Sequence, residues 1–550
     1  MYRAGQRRLK SGHMRLGVLI SVLIFLLLAG VIVGCGEGKD ADQSTAGGVS
    51  KDQADQAVQG ILGMLSPDMA QSFVDALSSL AATSAQNGGG LPVIAPLNQA
   101  FLDSLDLPAV DPASIEAVGY PLGLGPTAQD FLYARGIQIP SPPGFELPPT
   151  SYDLRETEAI PPTYDLVTPG KVTAVKDQNP YGTCWSFASL GSLESWLLPA
   201  ETWDLSEDNM VLNSGFDTGD DPYNWGGTLE WATAYLVRWA GPVDERADAY
   251  GDAYTPAGVS PQMHVQEVNW IPPRESALDN NNVKNAILQY GGVYVALSWQ
   301  GEASGSPNFD ASTASYHYFG LMPANHAVLI VGWDDDYPAA NFPLAPMGDG
   351  AFLVKNSWGT EFGDGGFFYV SYYDTVFGRS DLMGTFTSAE STGNYSGIYQ
   401  YDPLGDVNGF GFESPTAWFA NVFTAQATAQ LSAVGFYALT PGTTYEVYAG
   451  SSPATMALST TGTLAYMGYH TVALAEPVAV TRGEPFAVAV KITSPGTDTP
   501  IALEYPIDGY TSAATAQPGQ SYVSADGGDW SDLTTTWDAN ANVCLKAYVK

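Results

Sequence analysis

The chain is poor in cysteine, histidine and basic residues. It has 550 residues, of which 3 are cysteine and 5 are histidine. Lys and Arg together number 21 against 58 Asp and Glu, so the formal net charge is -37 although only 14% of the residues are charged. An acidic field of this size repels phosphate groups, and we therefore expect no nucleic-acid partner.

What is present is typical of a large globular protein. The hydrophobic fraction is 45%, which is the composition of folded rather than disordered chains. Because a chain of this length does not fold around one core, we expect two or three folded units with flanking segments.

The N-terminus has the pattern of an export signal. Basic residues in the first 15 positions precede the apolar run Leu16–Val33, and Cys35 follows shortly after it. A basic segment, an apolar segment and a small residue before the cleavage site are typical of such signals. Residues 1–34 resemble a bacterial lipoprotein signal, which implies that Cys35 becomes the lipidated first residue. The alternative is an uncut membrane anchor, because the run is about long enough to span a bilayer.

Both alternatives export the chain and tether it to the membrane. We expect it at the cell surface or as a membrane-anchored lipoprotein, with secretion as the other destination. If lipid occupies Cys35, only Cys184 and Cys544 remain. Although export often goes with disulfides, we therefore expect no internal disulfide and a free Cys184.

The rest of the chain divides by composition into three parts. Residues 35–147 are predicted to be a spacer or prosegment, with a helix beginning near Ser66 and recurrent prolines towards the end. Residues 148–385 mix helical and strand patterns. Residues 390–550 consist of short alternating segments separated by turns, which is typical of an all-β sandwich.

Apolar periodicity locates elements within residues 148–385. It predicts helices over Tyr181–Leu198 and Gly227–Trp239. Four strands are predicted from short apolar runs, at Val293–Leu297, Ala327–Val331, Phe352–Val354 and Phe367–Val370.

Cys184 stands where the turn Gly182-Thr183 gives way to a helical pattern. A thiol attacks as the thiolate, and both a helix N-terminus and a nearby imidazolium lower its pKa. The local sequence supplies the first of these. A small buried core residue is the alternative interpretation of the same cysteine.

Two later segments supply candidate partners for Cys184. His326 begins an apolar strand pattern, where a hydrogen-bonded core histidine is the alternative interpretation. Asn356 is in phase with Phe352 and Val354, so its amide points to the same side as the core. A buried amide needs a partner, and an imidazole N–H would serve.

Three segments, in this order, resemble the papain family of cysteine peptidases: QNPYGTCWSF, NHAVLIVGW and KNSWGTEFGDGGFFYV. The family has Cys-Trp near the mature N-terminus, with His and Asn downstream. The resemblance extends from Pro148 to about Asp381. It implies an α+β fold in which a two-lobed catalytic domain, with a helical lobe and a β-barrel lobe, precedes the all-β sandwich domain.

The resemblance implies a role for each matched residue. Cys184 is the expected nucleophile on a peptide carbonyl, His326 its imidazolium partner, and Asn356 the residue that orients His326. The amide of Gln178 is expected to bind the developing oxyanion together with the Cys184 N–H. Trp358 is expected to shield the His–Asn hydrogen bond from water.

Substrate binding follows from the same resemblance. Gly226 and Gly227 match the glycine pair that hydrogen-bonds the substrate backbone, where the absence of a side chain lets an extended peptide lie close. The implied substrates are proteins or peptides, and neither a cofactor nor a metal is expected.

The chain departs from the family at its disulfide. Tyr181 and Asn224 stand at the two positions where the family has paired cysteines. We therefore expect packing to hold this region instead. Residues 36–147 lack the family's helical prosegment pattern, so the resemblance does not extend to inhibition by that segment.

Other polar residues and Cys544 are interpreted as structural rather than functional. Glu194 and Glu230 are predicted to lie on solvated helix faces. The run Asp334-Asp335-Asp336 could bind calcium, but a polar turn after a strand is the preferred interpretation. Cys544 is predicted to be a buried thiol in a strand.

The C-terminal part resembles, more loosely, the lectin-like β-domain that follows papain-type domains in some prokaryotic surface proteins. The similarity lies in Gly519–Ser524, Asp529-Trp530 and Asn542–Ala547. It implies a cell-surface glycan as a partner but assigns no sugar-binding residues. Aromatic residues such as Trp418 or Tyr469 could stack on a sugar if exposed, and packing in the core is the preferred interpretation. The alternative function for the whole chain is a glycan-binding adhesin with a non-catalytic peptidase scaffold.

Overall fold

A computed structural model describes residues 92–97, 101, 160–301, 305–450 and 455–550. All of them belong to one compact unit, Gly89–Lys550. The predicted signal, Cys35 and the predicted helix near Ser66 lie outside the described residues. Within the described ranges, no helix is long and apolar enough to cross a membrane.

Both predicted helices are present, each shorter than predicted. The α-helices in the described ranges are α1 Cys184–Leu197, α2 Glu207–Leu212, α3 Pro222–Trp225, α4 Leu229–Val237, α5 Asn281–Tyr290 and α6 Leu533–Thr536, with a 3-10 turn at Ala339–Asn341. Helix α4 begins after Gly227 because Thr228 caps it, its Oγ1 accepting a hydrogen bond from the Trp231 N–H at 3.4 Å.

The four predicted strands are also present, and three of them run longer than predicted. Up to residue 391 the strands are β1 Val93–Ile94, β2 Thr163–Asp165, β3 Met263–Ile271, β4 Val293–Leu297, β5 Phe309–Asp310, β6 Ser315–Tyr316, β7 His326–Asp334, β8 Ala351–Lys355, β9 Phe367–Ser371 and β10 Met383–Ser391. Strands β4, β7, β8 and β9 are neighbours in that order, with antiparallel pairing throughout.

Helix α1 lies in the middle of the first part of the fold. It packs against α2, α4, β4, β7 and β10. Every residue of α1 except Trp196 is buried. A helix buried on all faces has no amphipathic stripe. Its first residue, Cys184, therefore lies inside the protein.

The C-terminal part is built from strands, as predicted. They are β11 Gly397–Tyr399, β12 Asn408–Gly411, β13 Thr416–Thr424, β14 Ala429–Ala438, β15 Thr443–Gly450, β16 Ala457–Leu464, β17 Met467–Val480, β18 Pro485–Thr493, β19 Ile501–Glu504, β20 Ser521–Ser524, β21 Ser531–Asp532, β22 Asn542–Val543 and β23 Leu545–Val549. One sheet has the order β16-β15-β18-β13-β20-β21, and a second joins β1 to β12, β19 and β22. Apolar side chains such as Phe419, Phe436 and Val490 fill the core of this part.

The two parts share a sheet. Strand β17 of the C-terminal part pairs antiparallel with β3, placing Tyr469 opposite Val268 and His470 opposite Glu267. His470 Nδ1 lies 3.1 Å from a Glu267 carboxylate oxygen across this junction. A 13-stranded sheet therefore runs from the C-terminal part into the first part, and β3, which was not predicted, is the strand that joins them.

Candidate active site

Cys184 is the first residue of α1, at the helix N-terminus as predicted. The preceding Thr183 caps the helix without a side-chain hydrogen bond, so the first-turn N–H groups are not satisfied by a capping side chain. The Cys184 Sγ accepts a hydrogen bond from the Ala327 N–H at 3.0 Å. Ala327 follows His326 at the start of β7, and this contact brings the thiol to the histidine's strand.

The orientation of His326 is fixed by Asn356. The backbone N–H of Ser357 donates to the Asn356 Oδ1 at 2.9 Å, which identifies that atom as an acceptor. His326 Nε2 lies 2.8 Å from the same oxygen and must therefore carry the proton. In a neutral ring this leaves the lone pair on Nδ1, a buried atom that makes no hydrogen bond among the described residues.

Trp358 covers the imidazole face. The two ring centroids lie 4.5 Å apart and the ring planes meet at 19°. Trp358 is itself 6% exposed, so the indole separates the His326–Asn356 hydrogen bond from solvent on this side.

Burial dominates the electrostatics of the site. Cys184 and His326 are both 0% exposed. Burial raises the pKa of the Cys184 thiol to about 12, although the N–H groups of Ala327, Trp185 and Cys184 itself act in the opposite direction. Burial lowers the pKa of His326 to about 4, against the effect of its hydrogen bond with Asn356. In this closed arrangement the neutral thiol and the neutral imidazole are the stable forms near neutral pH.

Gln178 is held with its amide group in one orientation. Its Oε1 accepts from the Ser357 hydroxyl at 2.6 Å, and its Nε2 donates to the Tyr181 carbonyl oxygen at 2.8 Å. A carboxamide nitrogen has two N–H groups, so a second donor remains. Ser357 thus contacts both Gln178 and Asn356 and couples their positions, a role that the sequence did not reveal.

The two glycines are required for different reasons, Gly227 by packing and Gly226 by its backbone conformation. A side chain at Gly227 would place its Cβ 2.4 Å from the Trp185 indole ring. Gly226 has a φ of 93°, a backbone conformation that side chains disfavour. Both glycines lie between α3 and α4, and Trp185 connects them to the helix that carries Cys184.

The predictions for Glu194 and Glu230 are wrong, because both side chains are buried. Glu194 pairs with Lys176 at 3.3 Å and also accepts from the Leu205 N–H at 2.9 Å. Lys176 also pairs with Glu207 at 2.8 Å. Burial alone would lower the pKa of Lys176, but the charges of Glu207 and Glu194 outweigh it and raise the pKa. This buried ion cluster fastens α1 to α2 behind the site.

The structure also locates the aspartate run, Cys544 and the two aromatic residues considered for sugar stacking. Asp334 ends β7, and Asp335 and Asp336 lie in the turn after it. Asp335 forms an ion pair with Lys284 at 2.5 Å. Cys544 is a buried thiol, as predicted. Tyr469 is fully buried and cannot stack on a sugar, whereas Trp418 is half-buried and packs on Tyr448 with ring centroids 5.0 Å apart.

Two family models match the chain. Residues 160–381 match the family model described as papain family cysteine protease, and residues 398–549 match the model described as lectin like domain. The chain carries a papain-family cysteine protease domain followed by a lectin-like domain. The catalytic domain is α+β and the lectin-like domain is all-β, as the sequence predicted.

A solved structure shares this arrangement of two domains. The cysteine protease and lectin-like domains of Cwp84, a surface layer associated protein of Clostridium difficile, superpose with a TM-score of 0.67 at 26% identity, covering 84% of this chain and 98% of that one. A second structure, of a variant of the clostridial cysteine protease Cwp84 after propeptide cleavage, gives a TM-score of 0.61 at 28% identity, covering 70% of this chain and 99% of that one.

Curated relatives match over the papain-family domain. The viral cathepsin of Spodoptera exigua nuclear polyhedrosis virus is 28% identical over 38% of this chain, and the cathepsin L-like peptidase of Aedes aegypti is 28% identical over 42%. The chain spans 57% and 63% of the length of these two relatives.

Proposed function

We propose that the protein is a cysteine endopeptidase in which Cys184 is the nucleophile and His326 its acid–base partner. The observation that carries the proposal is the Asn356 hydrogen bond, which fixes the His326 proton on Nε2 and leaves Nδ1 available beside the strand that contacts the thiol. A neutral Nδ1 can accept the thiol proton, and the resulting imidazolium stabilises the thiolate.

The reaction follows from these positions. The Cys184 thiolate attacks the peptide carbonyl carbon, and the carbonyl oxygen takes the negative charge. The free N–H of Gln178 and the Cys184 backbone N–H donate to that oxyanion. His326 then gives its Nδ1 proton to the leaving amine, which leaves an acyl-enzyme thioester. The neutral His326 next accepts a proton from water, which attacks the thioester and releases the acid and the thiol.

Hydrolysis requires the site to open. With the thiol pKa at about 12 and the imidazole pKa at about 4, both groups are neutral in the closed arrangement. Contact with water reduces the burial penalty on both charged forms and favours proton transfer from thiol to imidazole. Access of a peptide and water to the thiol is therefore expected to favour the charged pair.

Cleavage of a denatured protein by the full chain tests the proposal. The Cys184→Ala variant is expected to abolish cleavage, while the Cys544→Ala variant, which removes the other buried thiol, is expected to retain it. Cleavage that persists at the wild-type rate in Cys184→Ala would overturn the assignment of Cys184, and a wild-type chain that cleaves nothing would favour the adhesin alternative.

We also propose that the chain is exported and tethered through Cys35. The supporting observations are the N-terminal signal pattern and the likeness to Cwp84, a surface layer associated protein. Labelled palmitate is expected to enter the wild-type chain and the Cys544→Ser variant but not Cys35→Ser. Label retained in Cys35→Ser would contradict lipidation at this residue.

The lectin-like domain is proposed to bind a cell-surface glycan. Trp418 is half-buried, with the Lys491 ammonium 5.6 Å from its ring centroid, so its ring retains an accessible part for sugar stacking. A glycan array should be probed with the full-length Cys184→Ala chain, because β17 shares a sheet with β3. We expect binding that Trp418→Ala weakens, and a complete absence of binding would contradict the proposal.

A further inference from the structure

Three carboxylates converge beside the active-site segment. Asp208 is in α2, and Asp248 and Asp252 belong to a loop some forty residues further along the chain. One oxygen from each lies within 4.8 Å of one from each of the others. Asp208 and Asp248 are buried at 0% and 1% exposure, whereas Asp252 is exposed. The cluster is therefore open to solvent on one side only.

Two buried oxygens in this cluster make no hydrogen bond among the described residues. They are Asp208 Oδ2 and Asp248 Oδ1. The other oxygen of each carboxylate is engaged: Asp208 Oδ1 accepts from the Gly251 N–H at 2.9 Å, and Asp248 Oδ2 accepts from the Asn209 Nδ2 at 2.6 Å. These bonds fix both carboxylates, yet a buried carboxylate oxygen without a donor is costly.

Protein cations in the described ranges do not neutralise the cluster. None of the ion pairs found there includes Asp208, Asp248 or Asp252. Each of the three carboxylates accepts an N–H hydrogen bond, yet the cluster lacks the positive charge that its two buried acids require.

We propose that Asp208, Asp248 and Asp252 bind a divalent cation of the oxygen-preferring class, calcium being the best fit. Calcium takes oxygen ligands at about 2.3–2.6 Å, so two ligands of one ion lie at most about 5.2 Å apart. The separations in this cluster are all within 4.8 Å and do not exceed that limit. The donor set contains only oxygen, which does not favour zinc or copper.

The site is connected to the active-site segment by two tyrosines. The Tyr223 hydroxyl donates to Asp208 Oδ1, and the Tyr223 carbonyl oxygen accepts from the Gly182 N–H at 2.9 Å. Tyr250, between Asp248 and Asp252, donates its hydroxyl to the Gln178 carbonyl oxygen at 2.8 Å and lies 2.5 Å from the Thr183 hydroxyl. A cation that fastens the loop to α2 therefore also holds the turn that carries the oxyanion donor.

The binding test uses terbium as a luminescent probe for calcium on the full-length Cys184→Ala chain. Excitation of the tyrosines beside the cluster is expected to give saturable terbium luminescence. Calcium is expected to displace the terbium with a Kd of about 10⁻⁴–10⁻³ M, the range of extracellular calcium sites. In the Asp252→Asn variant, whose altered residue is exposed and leaves the fold intact, we expect at least a tenfold weaker affinity.

A matched control distinguishes this site from the acidic surface. Asp220 is exposed and lies outside the cluster, so Asp220→Asn removes the same charge and is expected to keep the affinity within about twofold. Terbium binding that is equal in Asp252→Asn and Asp220→Asn, or that never saturates, would overturn the proposed site.

The link to catalysis rests on the proposed peptidase function and is tested separately. In the otherwise wild-type chain, chelation is expected to lower kcat severalfold with little change in KM, because the turn with Gln178 acts on the oxyanion. Without any chelator, Asp252→Asn is expected to have a lower kcat than the wild-type chain. A kcat that chelation leaves unchanged, in a chain shown to bind terbium, would overturn the link, and a chain without peptidase activity would refute the peptidase function while leaving the binding result intact.

Discussion

The surroundings of Cys184 and Cys544 differ although the two thiols share the same burial. Both are free and buried, and burial raises the pKa of each. Around Cys184, backbone N–H groups oppose that increase. Around Cys544, the carboxylates of Asp402 and Asp406 increase it further, against Lys546.

The comparison shows that burial does not separate a nucleophile from a core thiol. The backbone N–H groups that act on the pKa of Cys184 all favour the thiolate. Together with a proton acceptor, these dipoles can stabilise the thiolate when water reaches Cys184. Around Cys544, the neighbouring acids disfavour the thiolate. The Lys546 ammonium donates to Asp402 at 2.7 Å, so this charge is already engaged.

The largest predicted effect is the loss of peptide hydrolysis when Cys184 is deprived of its histidine, the partner that Cys544 does not need. Replacing His326 with Gln removes the proton acceptor, and kcat/KM for peptide hydrolysis is expected to fall about 10⁴-fold or more. The matched change His470→Gln alters the buried histidine of the lectin-like domain and should leave activity within about twofold. A His326→Gln variant that retains a tenth of the wild-type rate would contradict the role of His326.

The next effect concerns the oxyanion donor. Gln178→Ala is expected to lower kcat about 10²–10³-fold with a small change in KM. Gln520→Ala, in the lectin-like domain, is the control and should change neither constant. A loss that appeared only in KM would assign Gln178 to ground-state binding.

A smaller effect separates positioning from stability. Asn356→Ala frees the His326 ring, and misplacement of a reacting group is expected to lower kcat about 10²-fold. Asn421 is a buried amide of the lectin-like domain that donates to the Leu545 carbonyl oxygen at 2.7 Å. Asn421→Ala should lower the thermal unfolding temperature and leave kcat unchanged, and equal kcat losses in both variants would contradict the distinction.

The smallest effect is a pH dependence of stability. Burial lowers the pKa of His326 from 6.5 to about 4. Between about pH 4 and pH 6.5 the imidazole is therefore protonated in the unfolded chain and neutral in the folded protein. The stability linked to the neutral ring is present above pH 6.5 and is lost as pH falls towards 4.

Urea unfolding measures this contribution. Between about pH 7 and about pH 4.5, wild type is expected to lose more stability than His326→Gln, by no more than about 3 kcal/mol. Parallel losses in the two chains would show that His326 is not buried neutral in the folded protein.

The candidate site was predicted from three segments that, in this order, resemble the papain family, because each local pattern alone also fits a core residue. Cys184 follows a glycine-marked turn, His326 begins an apolar strand, and Asn356 is in phase with the strand before it. The structure brings these segments together, with Sγ accepting from Ala327 and Nε2 bonding to Asn356. The sequence patterns do not predict how completely Cys184, His326 and Asn356 are buried. Burial depends on helices and strands from other parts of the chain that pack around them.

The errors arise where a residue depends on distant partners. Glu194 looked like a solvated helix position because its partners Lys176 and Leu205 lie in other segments. Strand β3 was missed because buried polar residues, among them His264, Gln266 and Asn269, interrupt its apolar pattern. The sequence did not indicate the Asp208 cluster: it raised calcium only for the contiguous run Asp334–Asp336, where a polar turn was preferred, and contiguity in sequence says little about convergence in space.

The most direct test of the central claim is mass-spectrometric mapping of an epoxide-type thiol inhibitor on the full chain, under conditions in which it hydrolyses a peptide substrate. We predict one adduct per chain, on Cys184, with none on Cys544 and markedly slower labelling in His326→Gln. Equal labelling of both cysteines, or labelling of Cys544 alone, would contradict the assignment of Cys184 as the nucleophile.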